Sequence, residues 1–98
     1  MKIRWTHEAL ERLREIDRFI SRDSPTRASQ FIRQIIEQAG PLAQNPRLGR
    51  IVPEISNPEI RELIFKNYRI VYRIFPESID ILTVFEGHMI LKRPESDD

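Results

Sequence analysis

Regularly spaced arginines are the residues of this 98-residue chain whose type and position could bind or transform a ligand. Arg69 and Arg73 lie four positions apart in an alternating segment, so a strand would place both on one face, about 13 Å apart at roughly 3.3 Å per residue. Arg61 could join them from a neighbouring strand if the register allows. Guanidinium groups on one face bind phosphate or carboxylate. The alternative is that they only stabilise the sheet by pairing with carboxylates, namely those of Glu59, Glu62 and Asp80.

The two histidines are further candidates for proton transfer or metal binding. His7 and His88 lie at opposite ends of the chain and lack the spacing typical of metal ligands. The three glycines are too scattered to form a phosphate-binding loop. With no cysteine, the chain has no thiolate metal site, cysteine nucleophile or disulfide framework. We therefore expect no metal site.

The charge of the chain is balanced overall but uneven along the sequence. Sixteen basic and fifteen acidic residues leave a net charge of +1, which is not typical of a nucleic-acid-binding protein. Between Arg47 and Arg73, six basic residues face only three acidic ones, whereas the sequence after Arg73 is predominantly acidic. This distribution predicts a local basic surface that could bind an acidic partner.

Length and composition predict one folded domain without a membrane span. Ninety-eight residues suffice for a single core, and 40% hydrophobic with 32% charged residues is typical of folded proteins. The apolar runs of two or three residues are far shorter than the roughly 20 needed to cross a bilayer. The first residues lack the apolar segment of a signal peptide. We expect a cytoplasmic protein with one domain over 1–93 and an acidic tail over 94–98.

Two amphipathic helices follow a short strand at residues 2–5. Thr6 is placed to cap the first helix, whose apolar residues recur every three or four positions. Ser24 followed by Pro25 marks the start of the second helix, because serine caps a helix and proline fits its first turn. Proline and glycine end this helix between residues 40 and 46. The short link between the two helices predicts an antiparallel hairpin.

The second half of the chain changes to strand periodicity after a predicted loop at 45–59. Strands are predicted at 60–65, 68–75 and 79–85, joined by turns at 66–67 and 76–78. The predicted class is therefore α+β in the order β-α-α-β-β-β. It has an antiparallel sheet with the N-terminal two-helix hairpin packed on one face.

The order and spacing of these segments resemble the ParE/RelE family of bacterial toxins from type II toxin–antitoxin systems. The similarity covers about positions 3–91, and its most specific parts are residues 68–73 and 81–88. Further matches are Trp5, Ala9, Leu13, Ala28 and Leu42, and the segments 23–25, 45–46, 49–50 and 60–63. The resemblance implies the RelE/ParE-like toxin fold, an antitoxin partner and no cofactor.

This family has members with two different activities. RelE-like members cleave mRNA on the ribosome with a cluster of basic residues, whereas ParE-like members inhibit DNA gyrase without cleavage chemistry. The chain matches the ribonuclease cluster at Arg69, but it has Ile60 and Glu62 where lysines are expected and Met89 where an arginine is expected. In a ribonuclease, Arg69 and His88 would be the catalytic residues. The resemblance favours a non-enzymatic gyrase inhibitor, with a ribonuclease or an inactive antitoxin-binding member as alternatives.

The same resemblance suggests two contact surfaces. The expected target contacts lie on the basic hairpin and the last strand, at Arg61, Arg69, Arg73, Phe85 and His88. The expected antitoxin contacts lie along the helical hairpin, whose outer groove could take an amphipathic helix, at Leu10, Phe19 and Ile20. Because the antitoxin usually carries the operator-binding domain, we expect no direct binding of operator DNA by this chain.

Overall fold

A computed structural model of the chain describes residues 1–87. The elements are β1 (Lys2–Trp5), α1 (His7–Ser21), α2 (Pro25–Ala39), two short 3-10 helices (Gly40–Ala43 and Pro46–Leu48), β2 (Arg50–Ile51), β3 (Ile60–Phe65), β4 (Tyr68–Ile74) and β5 (Ser78–Glu86). The strands form one sheet in the order β1-β5-β4-β3-β2, and both helices pack on one face. The predicted α+β class is confirmed. The predicted acidic tail at 94–98 lies outside the described residues.

The helices begin at the predicted capping residues. Thr6 Oγ1 accepts a hydrogen bond from the Ala9 amide at 3.2 Å, and Ser24 Oγ accepts one from the Arg27 amide at 3.2 Å. Pro25 occupies the first turn of α2. The faces buried against the sheet carry Ala9, Leu13 and Ile16 of α1, and Ala28, Ile35 and Ala39 of α2. None of the helices within residues 1–87 is long and apolar enough to cross a membrane.

The sheet is mixed, which corrects the expectation of a wholly antiparallel sheet. Strands β3, β4 and β5 are antiparallel as predicted, but β1 pairs with β5 in parallel. A strand that is followed by a helical hairpin is not forced into antiparallel pairing, because its connection is long enough to cross over. Arg4 of β1 lies opposite Asp80 of β5, and the two side chains form paired bonds of 3.0 and 3.2 Å.

A fifth strand lies within the segment that the sequence predicts as a loop. Arg50 and Ile51 pair with Glu62 and Arg61 and thereby add β2 to the edge of the sheet. Two residues are too few to show strand periodicity in the sequence. The following loop contributes a fully buried residue, Val52. The segment is thus part of the folded structure and not only a connection.

A β-bulge in β5 changes which positions face the helices. Ile79 and Ile81 are buried before the bulge and Val84 after it, because the pairing with β4 skips Leu82. The Thr6 hydroxyl donates a hydrogen bond to the Ile81 carbonyl oxygen at 2.7 Å. The residue that caps α1 therefore also holds the bulged part of β5.

Candidate functional site

Arg69 is buried on the sheet face opposite the helices, with 5% of its surface exposed. Its Nε donates a hydrogen bond to Glu62 Oε1 at 2.6 Å. Its Nη1 and Nη2 donate to the two carboxylate oxygens of Glu54, each at 2.8 Å. The guanidinium carbon also lies 5.1 Å from the ring centroid of Phe85. The guanidinium is therefore engaged by two carboxylates and one aromatic ring.

Glu62 connects Arg69 to a second arginine. Its side chain is completely buried, and its Oε2 accepts a hydrogen bond from Arg50 Nε at 2.7 Å. We call these four residues, Arg50, Glu54, Glu62 and Arg69, the arginine–glutamate cluster. Its formal charge is zero, and the buried carboxylate is compensated from two sides. The hydrogen bonds that Arg69 donates to Glu54 and to Glu62 hold its pKa above the usual range, despite the opposing effect of burial.

Arg61 does not join the arginines of β4. In the register of β3 and β4 it lies opposite Tyr72, whose side chain is part of the core under the helices. Its guanidinium donates hydrogen bonds to two backbone carbonyl oxygens, that of Pro58 at 2.9 Å and that of Gly49 at 3.0 Å. Register thus excludes the expected grouping of the three arginines, and Arg61 holds the 49–58 segment to the sheet edge.

Gly49 and Tyr72 attach the same segment to the core. The Gly49 amide donates a hydrogen bond to the Tyr72 hydroxyl at 2.9 Å, and this hydroxyl donates to the Pro46 carbonyl oxygen at 2.6 Å. A Cβ atom at Gly49 would lie 2.5 Å from the Glu62 carbonyl oxygen. Glycine is needed here because the backbones approach closely, and its φ of −77° is ordinary. Burial raises the pKa of Tyr72 above its usual range.

Arg73 is the most accessible of the three predicted target-contacting arginines. It is exposed, and its guanidinium carbon lies 5.1 Å from the ring centroid of Phe75. Within residues 1–87 it forms no ion pair with a carboxylate. His88 and Met89 lie outside the described residues, so of the two ribonuclease candidates only Arg69 is placed. His7 begins α1, on the helix side of the sheet.

An apolar groove runs between α1 and α2, where an antitoxin helix is expected. We call this groove, which has a volume of about 620 Å³, the helical groove. Its apolar lining consists of the buried Leu13, the half-buried Ile32, and the exposed Leu10 and Ile36. Charged residues of both signs complete the lining, namely Arg14, Asp17, Arg33 and Glu37. The groove has the shape and chemistry that an amphipathic helix requires.

The structure does not bring the three predicted antitoxin contacts into one surface. Phe19 follows Leu10 by nine positions, which at 3.6 residues per turn is about two and a half turns. The two side chains therefore lie on opposite sides of α1. Phe19 is 66% exposed, and the Arg22 guanidinium carbon lies 5.9 Å from its ring centroid. Ile20 is half-buried at the edge of the core. Within residues 1–87, no three histidine, aspartate or glutamate side chains are placed to hold a metal ion.

Comparison with known proteins identifies the family. The family model for the ParE toxin of type II toxin–antitoxin systems (parDE) matches residues 3–91. The chain belongs to the ParE toxin family. Y4kP of Sinorhizobium fredii (strain NBRC 101917 / NGR234), a protein described as a candidate toxin, is 38% identical to it over 89 residues. That alignment covers 89% of this chain and 88% of Y4kP. This ParE-family chain is therefore the toxin of a type II toxin–antitoxin system.

Solved structures agree with this assignment. A chain from the chromosomal ParDE toxin–antitoxin system of P. aeruginosa superposes with a TM-score of 0.73 at 27% identity, covering 88% of this toxin and 95% of that chain. A chain of the RelBE2 toxin–antitoxin complex of Mycobacterium tuberculosis superposes with a TM-score of 0.64 at 22% identity. It covers 87% of this toxin and 88% of that chain, and at this identity it shows the shared fold alone.

Glu54 is the member of the arginine–glutamate cluster that the sequence does not predict. It lies in a proline-rich segment predicted as a loop, fifteen positions before its partner Arg69. The carboxylates of Glu59 and Asp80 do form the expected kind of pair, but with Arg47 and Arg4. Neither periodicity nor a motif marks Glu54 in the sequence. Glu54 reaches Arg69 because the loop folds back over the sheet face opposite the helices.

Proposed function

We propose that this toxin inhibits DNA gyrase in the cytoplasm and does not cleave RNA. The observation that supports this most strongly is the engagement of Arg69, the position that matches the ribonuclease cluster. A cation that stabilises a phosphate in the transition state must be free to bind it. Arg69 instead binds Glu54 through both terminal nitrogens and the buried Glu62 through Nε. Transferring it to a phosphate would leave a buried carboxylate poorly compensated, which is costly.

The composition of the same sheet face supports this proposal. Where ribonuclease members carry lysines, β3 has Ile60 and Glu62, and Glu62 is buried between two arginines. The arginine–glutamate cluster therefore has no excess positive charge with which to attract mRNA. Electrostatic complementarity to a polyanion is a requirement for a ribonuclease of this kind, and the cluster does not provide it.

The antitoxin partner of this toxin is proposed to bind the helical groove. An amphipathic helix placed there would cover Leu10 and Ile36, which are 39% and 46% exposed. Its polar residues would meet the arginines and carboxylates that complete the lining. This mode of recognition inserts apolar side chains at one-turn spacing into a groove between two helices. In this binding mode Leu10 would contact the antitoxin, whereas Phe19 lies outside the helical groove.

The proposal is tested with toxin that has been purified with its antitoxin, separated and refolded. Supercoiling of relaxed plasmid by gyrase is measured alongside mRNA integrity in a reconstituted translation reaction. We expect supercoiling to be inhibited, mRNA to stay intact, and added antitoxin to restore supercoiling. Cleavage of mRNA with unaffected gyrase would overturn the proposal in favour of the ribonuclease.

A further inference from the structure

The charged residues of the helical groove occur in a fixed order along its length. The link between α1 and α2, residues 22–24, spans at most about 14 Å, whereas each of these 15-residue helices is about 22 Å long. Since both helices line the same groove, so short a link requires them to run antiparallel. Residues equally far from the centre of the link, Asp23, therefore lie side by side across the groove.

Two arginines lie opposite each other in the middle of the groove. Arg14 is nine positions before Asp23, and Arg33 is ten positions after it. Asp17, six positions before Asp23, lies at the end of the groove near the link, and Glu37 lies at the far end. The charges along the groove are thus negative, positive and negative, and both positive charges lie at the same level.

The two arginines are available to a helix that enters the groove. Arg33 is exposed and forms no ion pair within residues 1–87, although Glu37 lies one turn further along the same helix. Arg14 Nη1 donates a hydrogen bond to Glu11 Oε1 at 3.1 Å. This pair is exposed and Glu11 does not line the groove, so the pair adds little stability and is easily exchanged.

The apolar floor between the arginines fixes how a helix can sit there. Leu13 and Ile32 are ten positions before and nine positions after Asp23, at the level of the arginines. A helix whose apolar stripe rests on this floor turns one polar flank toward each wall. Carboxylates on both flanks of its middle turn would bind Arg14 and Arg33, whereas lysines at those positions would be repelled.

A second copy of this toxin is a poor occupant of the groove. An isologous contact brings the centre of a surface against its own copy, so the arginine pairs of both protomers would meet. Four guanidinium groups at one level would repel one another. A nucleic acid does not suit the apolar floor either. The charge order therefore fits an acidic helix of a different protein.

We infer that Arg14 and Arg33 are the residues by which this toxin selects its antitoxin. They admit a helix with a carboxylate on each flank of its middle turn and reject a helix with basic residues there. The inference rests on the proposed function in placing the antitoxin in the helical groove, and it does not depend on gyrase. Exposed ion pairs add little affinity, whereas like charges brought together at an interface cost far more. The arginines therefore determine specificity, and the apolar contacts supply most of the affinity.

A pair of double variants tests this inference by calorimetric titration with the cognate antitoxin. Arg14→Glu/Arg33→Glu reverses the two charges of the groove. Arg18→Glu/Arg27→Glu is the matched control, because it makes the same change at exposed positions of the same helices outside the groove lining. We expect the groove variant to lose affinity about hundredfold or more and the control less than about threefold. Circular dichroism checks that both variants are folded.

Charge reversal in the antitoxin identifies the partners of the arginines. Each aspartate and glutamate of the antitoxin is changed to lysine in turn. At least one change is expected to restore affinity for the groove variant about tenfold or more and to weaken binding to the wild-type toxin. Loss of affinity without rescue by any of these changes would overturn the inference, because the arginines would then not face antitoxin carboxylates.

The remaining outcomes separate this inference from the proposed function. If the groove variant binds like the wild type while Ile36→Lys abolishes binding, the inference is overturned and the helical groove remains the antitoxin site. Equal losses in the two double variants would also overturn it, because overall charge would then explain both. If neither the groove variant nor Ile36→Lys changes the affinity, the antitoxin binds elsewhere, and the inference fails together with that part of the proposed function.

Discussion

Arg69 illustrates how the role of a residue depends on its immediate partners. An arginine on a strand face can bind phosphate, and the sequence leaves that possibility open. Bound to Glu54 and the buried Glu62, the same guanidinium becomes a structural group. Arg73, four positions along the same strand, is exposed and stacks on Phe75. Two residues of one type and one strand face are therefore expected to respond differently to substitution.

Arg69→Ala is expected to lower the free energy of unfolding by about 3–5 kcal/mol, because the buried Glu62 would lose its buried arginine partner and keep only the exposed Arg50. Urea denaturation followed by circular dichroism measures this change. Arg73→Ala is the control and should alter the free energy by less than about 0.5 kcal/mol, as exposed substitutions do. Equal effects of the two substitutions would contradict the structural role of Arg69.

The buried Tyr72 and the half-buried Tyr68 are expected to make stability fall in alkaline solution. Burial raises the pKa of Tyr72, and burial followed by the charge of Glu86 raises that of Tyr68. The unfolded chain releases these protons near the usual pKa of about 10, before the folded chain does, so unfolding is favoured as the pH rises through 10. The urea midpoint measured between about pH 9 and pH 11 should therefore fall. Tyr72→Phe should reduce the slope, and an unchanged slope would count against the prediction.

At the scale of elements, the segment between α2 and β3 contributes more to the packed structure than the loop that the sequence predicts. It supplies β2, the buried Val52 and the carboxylate of Glu54. Hydrogen bonds from Tyr72 and Arg61 hold it against the sheet. Its close approach at Gly49 leaves no space for a side chain. A proline-rich segment thus acts as a packed element, because its backbone groups have fixed partners.

Gly49→Ala is expected to destabilise the toxin by about 1–3 kcal/mol, since the new Cβ would collide with the Glu62 carbonyl oxygen. Gly40→Ala is a suitable control, because nothing lies within 4 Å of a Cβ at that position. It should be neutral or stabilising by up to about 1 kcal/mol, as expected where the backbone is helical. The measurement is the midpoint of thermal unfolding. Similar shifts in both variants would contradict the packing argument.

At the scale of the whole molecule, the two layers of the fold present surfaces with different properties. The groove on the helical layer is apolar, whereas the sheet face around Arg69 is internally neutralised. One prediction concerns antitoxin binding to the helical groove, and another concerns the effect of the toxin in the cell.

Ile36→Lys is expected to lower antitoxin affinity by about tenfold or more, because it places a charge in the apolar helical groove. Ile64→Lys is the control: this residue is 53% exposed, close to the 46% of Ile36, but lies on β3 away from the groove. Calorimetric titration of the antitoxin into each variant measures the difference. A loss of affinity in both variants, or in neither, would argue against the helical groove as the antitoxin site.

Induction of the toxin without antitoxin is expected to reduce DNA synthesis before protein synthesis, because gyrase inhibition blocks replication. Pulse labelling with thymidine and with amino acids within minutes of induction compares the two processes. An early fall in thymidine incorporation with continuing translation agrees with the proposed target. An immediate fall in amino-acid incorporation would instead indicate the ribosome as the target. Arg69 and His88 would then be tested as catalytic residues of a ribonuclease.

By itself the sequence determined both long helices, the strands β1, β3, β4 and β5, and the family of this protein. Caps at Thr6 and Ser24, helical spacing of apolar residues and strand alternation are signals carried by neighbouring positions, so they can be read without a structure. The order of these segments carried the resemblance to ParE/RelE toxins. The opposite placement of Leu10 and Phe19 on α1 also follows from helical periodicity, although the expected antitoxin surface combined them.

Only the tertiary structure decided which of these residues meet. The parallel pairing of β1, the face on which Arg61 lies and the contact of Glu54 with Arg69 all join positions distant in the chain. Such contacts depend on register and on the path of a loop, and a shift of one residue would move a side chain to the other face of the sheet. Local patterns do not encode that register. For this reason the arginines could be identified from the sequence, but their role could not.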